Sequence, residues 1–250
     1  MATETESGLQ THQSGDFTSD HAIQMTQAGD QTIYSSRFNE HYHSKYGAVQ
    51  ESAHIFIQAG YRACLSSPSF DDTTCRILEV GFGTGLNAFL TLLDVPDGHR
   101  VDYVGLEKYP LDSRIVEQLT YPSLFPEFSQ SQVLFEQLHG CSWGKRFALS
   151  ESFSLYKLEG DLCRLDTALE GLGPFHCIYF DAFSPETQPE LWTLAVFQRL
   201  QPLLMAGGRL VTYCAKGVVK RTLAQAGFQV STLPGPYGKR EMVVAHKTEG

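Results

Sequence analysis

Residues 76–93 read Arg76-Ile77-Leu78-Glu79-Val80-Gly81-Phe82-Gly83-Thr84-Gly85-Leu86-Asn87-Ala88-Phe89-Leu90-Thr91-Leu92-Leu93. The apolar run ending at Val80 predicts a strand. Leu86 to Leu93 predicts a helix, stopped by the turn residues Asp94-Val95-Pro96-Asp97-Gly98. Three glycines separate the two elements, and glycines at such a junction let the main chain approach a ligand that side chains would hold off. A dinucleotide-binding turn follows G-x-G-x-x-G and seats a pyrophosphate at the helix N-terminus. The spacing here is E-x-G-x-G-x-G, with Glu79 on the strand, which favours a ligand lacking a pyrophosphate.

The same alternation extends outward. Val101–Leu106, Phe153–Leu158, Cys177–Phe180 and Arg209–Tyr213 read as strands; Asp112–Leu119, Ser129–Leu138, Pro189–Leu200 and Val218–Ala226 read as helices. Phe228–Leu233 and Glu241–His246, joined by Pro234-Gly235-Pro236-Tyr237-Gly238-Lys239, form a closing antiparallel hairpin. Upstream, residues 23–36 predict a small β-hairpin about Gly29-Asp30, and Ala48 to Tyr61 predicts a helix ending at Gly60. The expected fold is α/β, a mostly parallel sheet with helices on both faces. Its expected divisions are a disordered tail (1–22), an extension of hairpin and helix (23–62) and a main domain (63–250).

Composition sets limits. A chain of 250 residues, 42% hydrophobic and 19% charged, can bury one substantial core, and no apolar run is long enough to span a bilayer. The first twenty residues hold no Lys or Arg, unlike a signal or transit peptide, so a cytoplasmic location is expected. Cys64, Cys75, Cys141, Cys163, Cys177 and Cys214 form no C-x-x-C pair, which predicts reduced core thiols and no metal site. A net charge of −9 argues against non-specific nucleic-acid binding. Residues 205–250 depart from that average, with Arg209, Lys216, Lys220, Arg221, Lys239, Arg240 and Lys247 against only Glu241 and Glu249.

Acids stand at four successive strand ends: Glu79, Glu107, Asp161 and Asp181. Ligands of open α/β sheets sit at the carboxyl ends of strands, so these acids converge on one crevice. Glu107 suits the two hydroxyls of a ribose; the competing reading is a surface acid paired with Lys108. Asp161 suits an adenine amine or a helix N-cap. Asp181 suits the reacting group or, again, a cap.

Motifs spread over residues 29–246 resemble the methyltransferase domain of the bacterial tRNA wobble-uridine modification enzyme MnmC and its stand-alone relatives, MnmD. They are Tyr34-Ser35-Ser36-Arg37-Phe38-Asn39-Glu40-His41-Tyr42-His43-Ser44, Glu51-Ser52-Ala53-His54-Ile55-Phe56-Ile57, the loop Glu79 to Asn87, and Leu106-Glu107-Lys108-Tyr109-Pro110. Phe180-Asp181-Ala182-Phe183-Ser184-Pro185, Pro189-Glu190-Leu191-Trp192, Thr212 to Gly217 and Leu233 to Met242 complete the set. The resemblance implies a Rossmann-like class I fold with S-adenosyl-L-methionine as cofactor. It also implies methyl transfer to the amine of 5-aminomethyl-2-thiouridine at the tRNA wobble position. The oxidoreductase domain of MnmC has no counterpart before Gly250, so only the methylation is expected.

The implied cofactor residues are Glu79, Gly81, Phe82, Gly83, Thr84, Gly85, Asn87, Glu107, Lys108, Asp161 and Asp181. Asp181 is the catalytic candidate. An alkyl amine titrates near pH 10, so about one molecule in a thousand is neutral at pH 7, and a carboxylate near pKa 4 is a weak base for it. Asp181 is therefore expected to orient the amine and relay its proton. Phe183 and Tyr213 are candidates for stacking on the uracil or closing the pocket, and His54 for lining the cofactor pocket, against ordinary core roles for each. Arg37, Lys216, Lys220, Arg221, Lys239 and Arg240 are candidates for phosphate contacts in the anticodon region of tRNA, against a solvated surface. Two rivals share the cofactor site or its fold, a methyltransferase of small-molecule amines and an aminopropyltransferase. The oligomeric state is not legible.

Overall fold

The computed structural model describes residues 20–68, 70, 72–164, 169 and 171–248. Residues 1–19 of the expected tail lie outside them, and its last residues already enter strand β1 (His21–Met25). β1 pairs antiparallel with β2 (Gln31–Ser35) about the predicted turn, where Gly29 has φ +86°. A third short strand, β3 (Glu40–His41), adds to β2 and was not predicted, because two residues carry no readable alternation.

The helix that follows departs from its prediction. It opens as α1 (Ala48–Ser52), widens to a π-helix over Ala53–Arg62 and closes as α2 (Ala63–Leu65). Gly60 does not end it. It lies where the helix presses on the sheet, and a Cβ there would meet Tyr179 at 2.9 Å and Val211 at 3.2 Å. The glycine is thus a packing residue. The N-terminus of α1 is capped from a distance, with the Asp30 carboxylate accepting from the N–H groups of Ala48 (3.2 Å) and Val49 (2.7 Å).

The main sheet is built from β4 (Thr74–Val80), β5 (Arg100–Glu107), β6 (Arg146–Ala148), β7 (Phe153–Glu159), β8 (Phe175–Phe180), β9 (Leu204–Thr212), β10 (Phe228–Pro234) and β11 (Glu241–Lys247). Their order is β10-β11-β9-β8-β4-β5-β7-β6. The five central strands run parallel, while β11 pairs antiparallel with β9, and β6 with β7. The predicted α/β architecture and closing hairpin are present. β6 is an exposed edge strand whose short run gave no periodic signal.

Helix α3 (Leu86–Leu93) matches its prediction. The helix expected over 112–119 contracts to α4 (Ser113–Val116), with Asp112 as its N-cap, and a 3-10 turn over Tyr121–Leu124 precedes α5 (Ser131–Gly140). The helix expected over 189–200 splits: a 3-10 turn at Pro189–Trp192 gives way to α6 (Leu194–Leu203), capped by the Thr193 hydroxyl. α7 (Gly217–Gln225) leads into the hairpin.

Alternation along the buried strands sorts side chains to two cores. Ile77, Tyr103, Cys177 and Tyr179 pack with Phe56, Tyr61 and Phe89 on one face; Leu78, Val104, Ile178 and Phe180 pack with Phe197, Leu200 and Leu223 on the other. Five of the six cysteines are buried, and none forms a disulfide. The N-terminal sheet is tied to the glycine loop by His43, a buried side chain whose Nε2 lies 2.7 Å from the Thr84 hydroxyl. Burial lowers the His43 imidazole to about 4, so it holds this bond uncharged.

Two outcomes are expected. Gly60→Ala gains helix propensity yet overfills a rigid contact, so it should destabilise the protein by about 1–3 kcal/mol in urea unfolding; neutral or increased stability would remove the packing role. For His43, the unfolded chain binds a proton below pH ~6.5 while the native imidazole resists until about 4. Its stabilising contribution is present above pH ~6.5 and declines as pH falls toward 4. The stability advantage of wild type over His43→Asn should therefore shrink by up to ~3 kcal/mol across that window.

Candidate functional site

The carboxyl ends of β4, β5, β7 and β8 open onto one cleft, whose empty space, open mouth included, is about 1180 Å³. Its floor begins at Gly81. There φ is +89° and a Cβ would collide with the Asp181 carbonyl oxygen, so only glycine lets the ends of β4 and β8 lie this close. Gly83 and Glu107 continue the floor: the Glu107 carboxylate accepts from Gly83 N–H (2.9 Å) and Tyr109 N–H (2.8 Å). Burial raises the Glu107 pKa against the pull of these N–H groups. Lys108 does not pair with Glu107. Its ammonium lies 2.9 Å from Asp161, which also accepts from Cys163 N–H, and these partners hold the Asp161 carboxyl below its ordinary range although partial burial acts upward.

Asp181 follows β8 and lines the cleft. Its Oδ2 accepts from Asn87 Nδ2 at 2.8 Å. Burial, reinforced by the negative charge of Glu51, raises Asp181 to about 7, against the opposing effects of Asn87 and Lys239. The Asn87 amide also donates to Glu79 (2.8 Å), which accepts from the Tyr103 hydroxyl (2.9 Å) and is pushed well above the carboxylate range by burial. Three of the four strand-end acids therefore meet in the cleft. Glu79 lies fully buried behind it, and Phe82, Thr84, Gly85 and Asn87 likewise shape the loop without lining the cavity.

A roof comes from the N-terminal extension. Phe183 stacks on Phe38 (ring centroids 4.6 Å apart) and meets Tyr42 edge-on at 5.0 Å. Glu40 accepts from the Ser184 hydroxyl (2.8 Å), and Trp192 Nε1 donates to the Phe183 carbonyl (2.8 Å), pinning the loop after β8 from both sides. Tyr213 donates to the Ala182 carbonyl (3.0 Å), leaving its ring beneath the Lys239 ammonium at 4.0 Å. Lys239 also pairs with buried Glu51 at 2.5 Å. Glu40, Glu51, Glu107, Asp161, Asp181 and Glu190 line the cleft against Lys45, Lys108 and Lys239, so the cavity is acidic.

The expected phosphate-binding residues scatter. Lys239 lies inside the cleft, and Arg37 stacks on the Tyr109 ring at 3.9 Å. Lys216 pairs with Glu186 and Lys220 with Glu241 (3.3 Å), while Arg221 and Arg240 are exposed. His54 does not line the cleft; its ring bonds the Pro234 carbonyl at 2.8 Å. Sequence reasoning passed over Glu51, Glu40, Tyr42 and Phe38. The available signal was Glu51, an acid on the apolar face of a helix, where a charge persists only with a partner.

A family model described as S-adenosyl-L-methionine-dependent methyltransferase matches residues 145–248. Proteins named tRNA 5-methylaminomethyl-2-thiouridine biosynthesis bifunctional protein MnmC are 33% identical to the chain in Nitrosospira multiformis, over 84% of this chain and 34% of that protein. In Idiomarina loihiensis the identity is 33%, over 91% of this chain and 38% of that protein. The chain thus spans little more than a third of these relatives' length. The crystal structure of MNMC2 from Aquifex aeolicus superposes with a TM-score of 0.75 at 28% identity, covering 92% of this chain and 71% of that one. With the glycine loop and its strand-end acids, these matches identify the chain as an S-adenosyl-L-methionine-dependent methyltransferase, similar to the methyltransferase part of the MnmC proteins.

Proposed function

We propose that the chain methylates the primary amine of 5-aminomethyl-(2-thio)uridine at the tRNA wobble position, giving 5-methylaminomethyl-(2-thio)uridine. The observation that carries this reading is Asp181. It is a cleft carboxyl raised to about 7, under an aromatic roof, beside a loop that suits the cofactor. The relatives' names supply the substrate.

The donor set fits S-adenosyl-L-methionine. Glu107 is pinned by two N–H groups at a strand end, in place to accept from the ribose hydroxyls. The backbone of Gly81 and Gly83, which lines the cleft, is assigned to the methionine part, and Asp161 with Lys108 to the adenine edge. The bound cofactor supplies an electrophilic methyl group on a sulfonium. Asp181 orients the attacking amine and takes up its proton. A pKa of about 7 makes Asp181 a better base than the ordinary carboxylate expected from sequence, because the gap to an alkyl amine near 10 narrows. Phe38, Tyr42 and Phe183 exclude water from the amine, which disfavours its ammonium form. Stacking on the uracil is assigned to Phe183, whose ring packs on Phe38, and lining of its edge to Tyr213, beneath Lys239.

The acidic lining also favours a second reading, a small cationic amine as acceptor, since carboxylates attract such a molecule as readily as they repel phosphate. No helix among the described residues is long and apolar enough to cross a membrane. A tRNA substrate would place the enzyme in the cytoplasm, with residues 63–250 as catalytic domain and 23–62 as an extension that supplies its roof at Phe38 and Tyr42.

Incubation with labelled cofactor, tRNA bearing the aminomethyl group and a polyamine, followed by nucleoside and amine analysis, should yield the methylaminomethyl nucleoside; labelled polyamine without labelled tRNA would select the second reading. Asp181→Asn should retain cofactor affinity and lose about 10²–10⁴-fold in turnover, and wild-type kcat/KM should fall as pH drops through about 7. Unchanged turnover would remove Asp181 from the chemistry. Glu107→Gln should weaken cofactor binding by roughly 10- to 100-fold in calorimetry, as befits loss of charge-assisted bonds; an unaltered Kd would place the ribose elsewhere.

A further inference from the structure

Tyr237 is the most exposed large apolar side chain among the described residues, at 75%, and nothing in the cofactor site accounts for it. It sits at the tip of the β10–β11 hairpin. Lys239 N–H donates to the Pro236 carbonyl (2.9 Å), and Gly238 supplies φ +84° at the third turn position, so the turn presents Tyr237 outward on a fixed backbone. Its ring meets Tyr46 edge-on with centroids 5.4 Å apart. Tyr46, 42% exposed, is itself held: its N–H donates to the Ser44 hydroxyl (3.2 Å), and its carbonyl accepts from Ala28 N–H (3.0 Å).

The two rings come from opposite ends of the chain and stand beside the cleft, because Lys45 and Lys239, their near neighbours in sequence, both line it. Lys45 and Arg240 are exposed and form no ion pair among the described residues, which leaves two cations flanking the rings. Exposed aromatic faces on a rigid backbone, bordered by unpaired cations and continuous with an acceptor pocket, match the chemistry of single-stranded RNA. Unstacked bases lie on aromatic rings while the cations meet the backbone. This arrangement also bears on how an acidic protein holds RNA: the contact is concentrated at one rim.

We propose that Tyr237, supported by Tyr46, is a stacking platform for a base adjacent to the target uridine, with Lys45 and Arg240 meeting the neighbouring phosphates. The inference rests on the tRNA reading above and extends it to a second subsite. The test is binding of a fluorescent anticodon stem-loop RNA that carries 5-aminomethyluridine at the wobble position, measured by anisotropy, with cofactor affinity as control. Tyr237→Ala should weaken RNA binding about tenfold, the scale of one lost base–aromatic stack, and leave cofactor Kd unchanged, while Tyr237→Phe binds like wild type. Equal RNA affinity for wild type and Tyr237→Ala overturns the platform, as does failure of wild type to bind the stem-loop. Because binding is read without turnover, an enzyme that binds this RNA through Tyr237 but never methylates it would sink the wobble-amine reading and leave the platform standing.

Discussion

One buried amide joins the parts of the site. Asn87 donates to Glu79 at the end of β4 and to Asp181 at the end of β8, and it does so from the first turn of α3. Two carboxyls and a helix are thereby fixed with respect to one another in a place with little water, where an unmet polar group would cost about 1–3 kcal/mol. The glycine loop bends between these points, and Gly81 permits the closeness on which the bridge depends. Glu79 is thus a strut behind the cavity.

The electrostatics follow from the same burial. Asp181 sits between a negative neighbour, Glu51, and a positive one, Lys239, which are paired with each other. The pair comes from the two ends of the chain and closes over the carboxyl at the strand end. Charge on Asp181 is disfavoured by its surroundings, and that is the condition for a carboxyl to hold a proton near neutral pH.

Much of this was legible in the sequence. The parallel strands announced themselves as apolar runs, α3 as a helix following glycines, and Glu107, Asp161 and Asp181 as acids at strand ends. What escaped was set by contacts between distant segments. Gly60 looked like a helix stop because its partners, Tyr179 and Val211, lie far along the chain. His54 drew attention where Glu51, one helical turn earlier, lines the cleft. The pKa of Asp181 could not be read from its own neighbours in sequence, since the charges that move it reside on residues 51 and 239. The positive residues near the C-terminus were visible as a count, but their ion pairs with Glu186 and Glu241 were not.

The aromatic roof has a consequence for how such an enzyme can change. The pocket floor is written in the stretch from β4 to β8, whereas its cover is written in residues 38–51 and in the hairpin tip at 235–240. Floor and cover touch through His43 with Thr84, Glu40 with Ser184, and Phe38 and Tyr42 with Phe183. Because much of the cover lies in tracts separate from the floor, substitutions at Phe38 or Tyr42 reshape the mouth of the cleft while the bonds that hold Glu107 and Asp161 stay as they are.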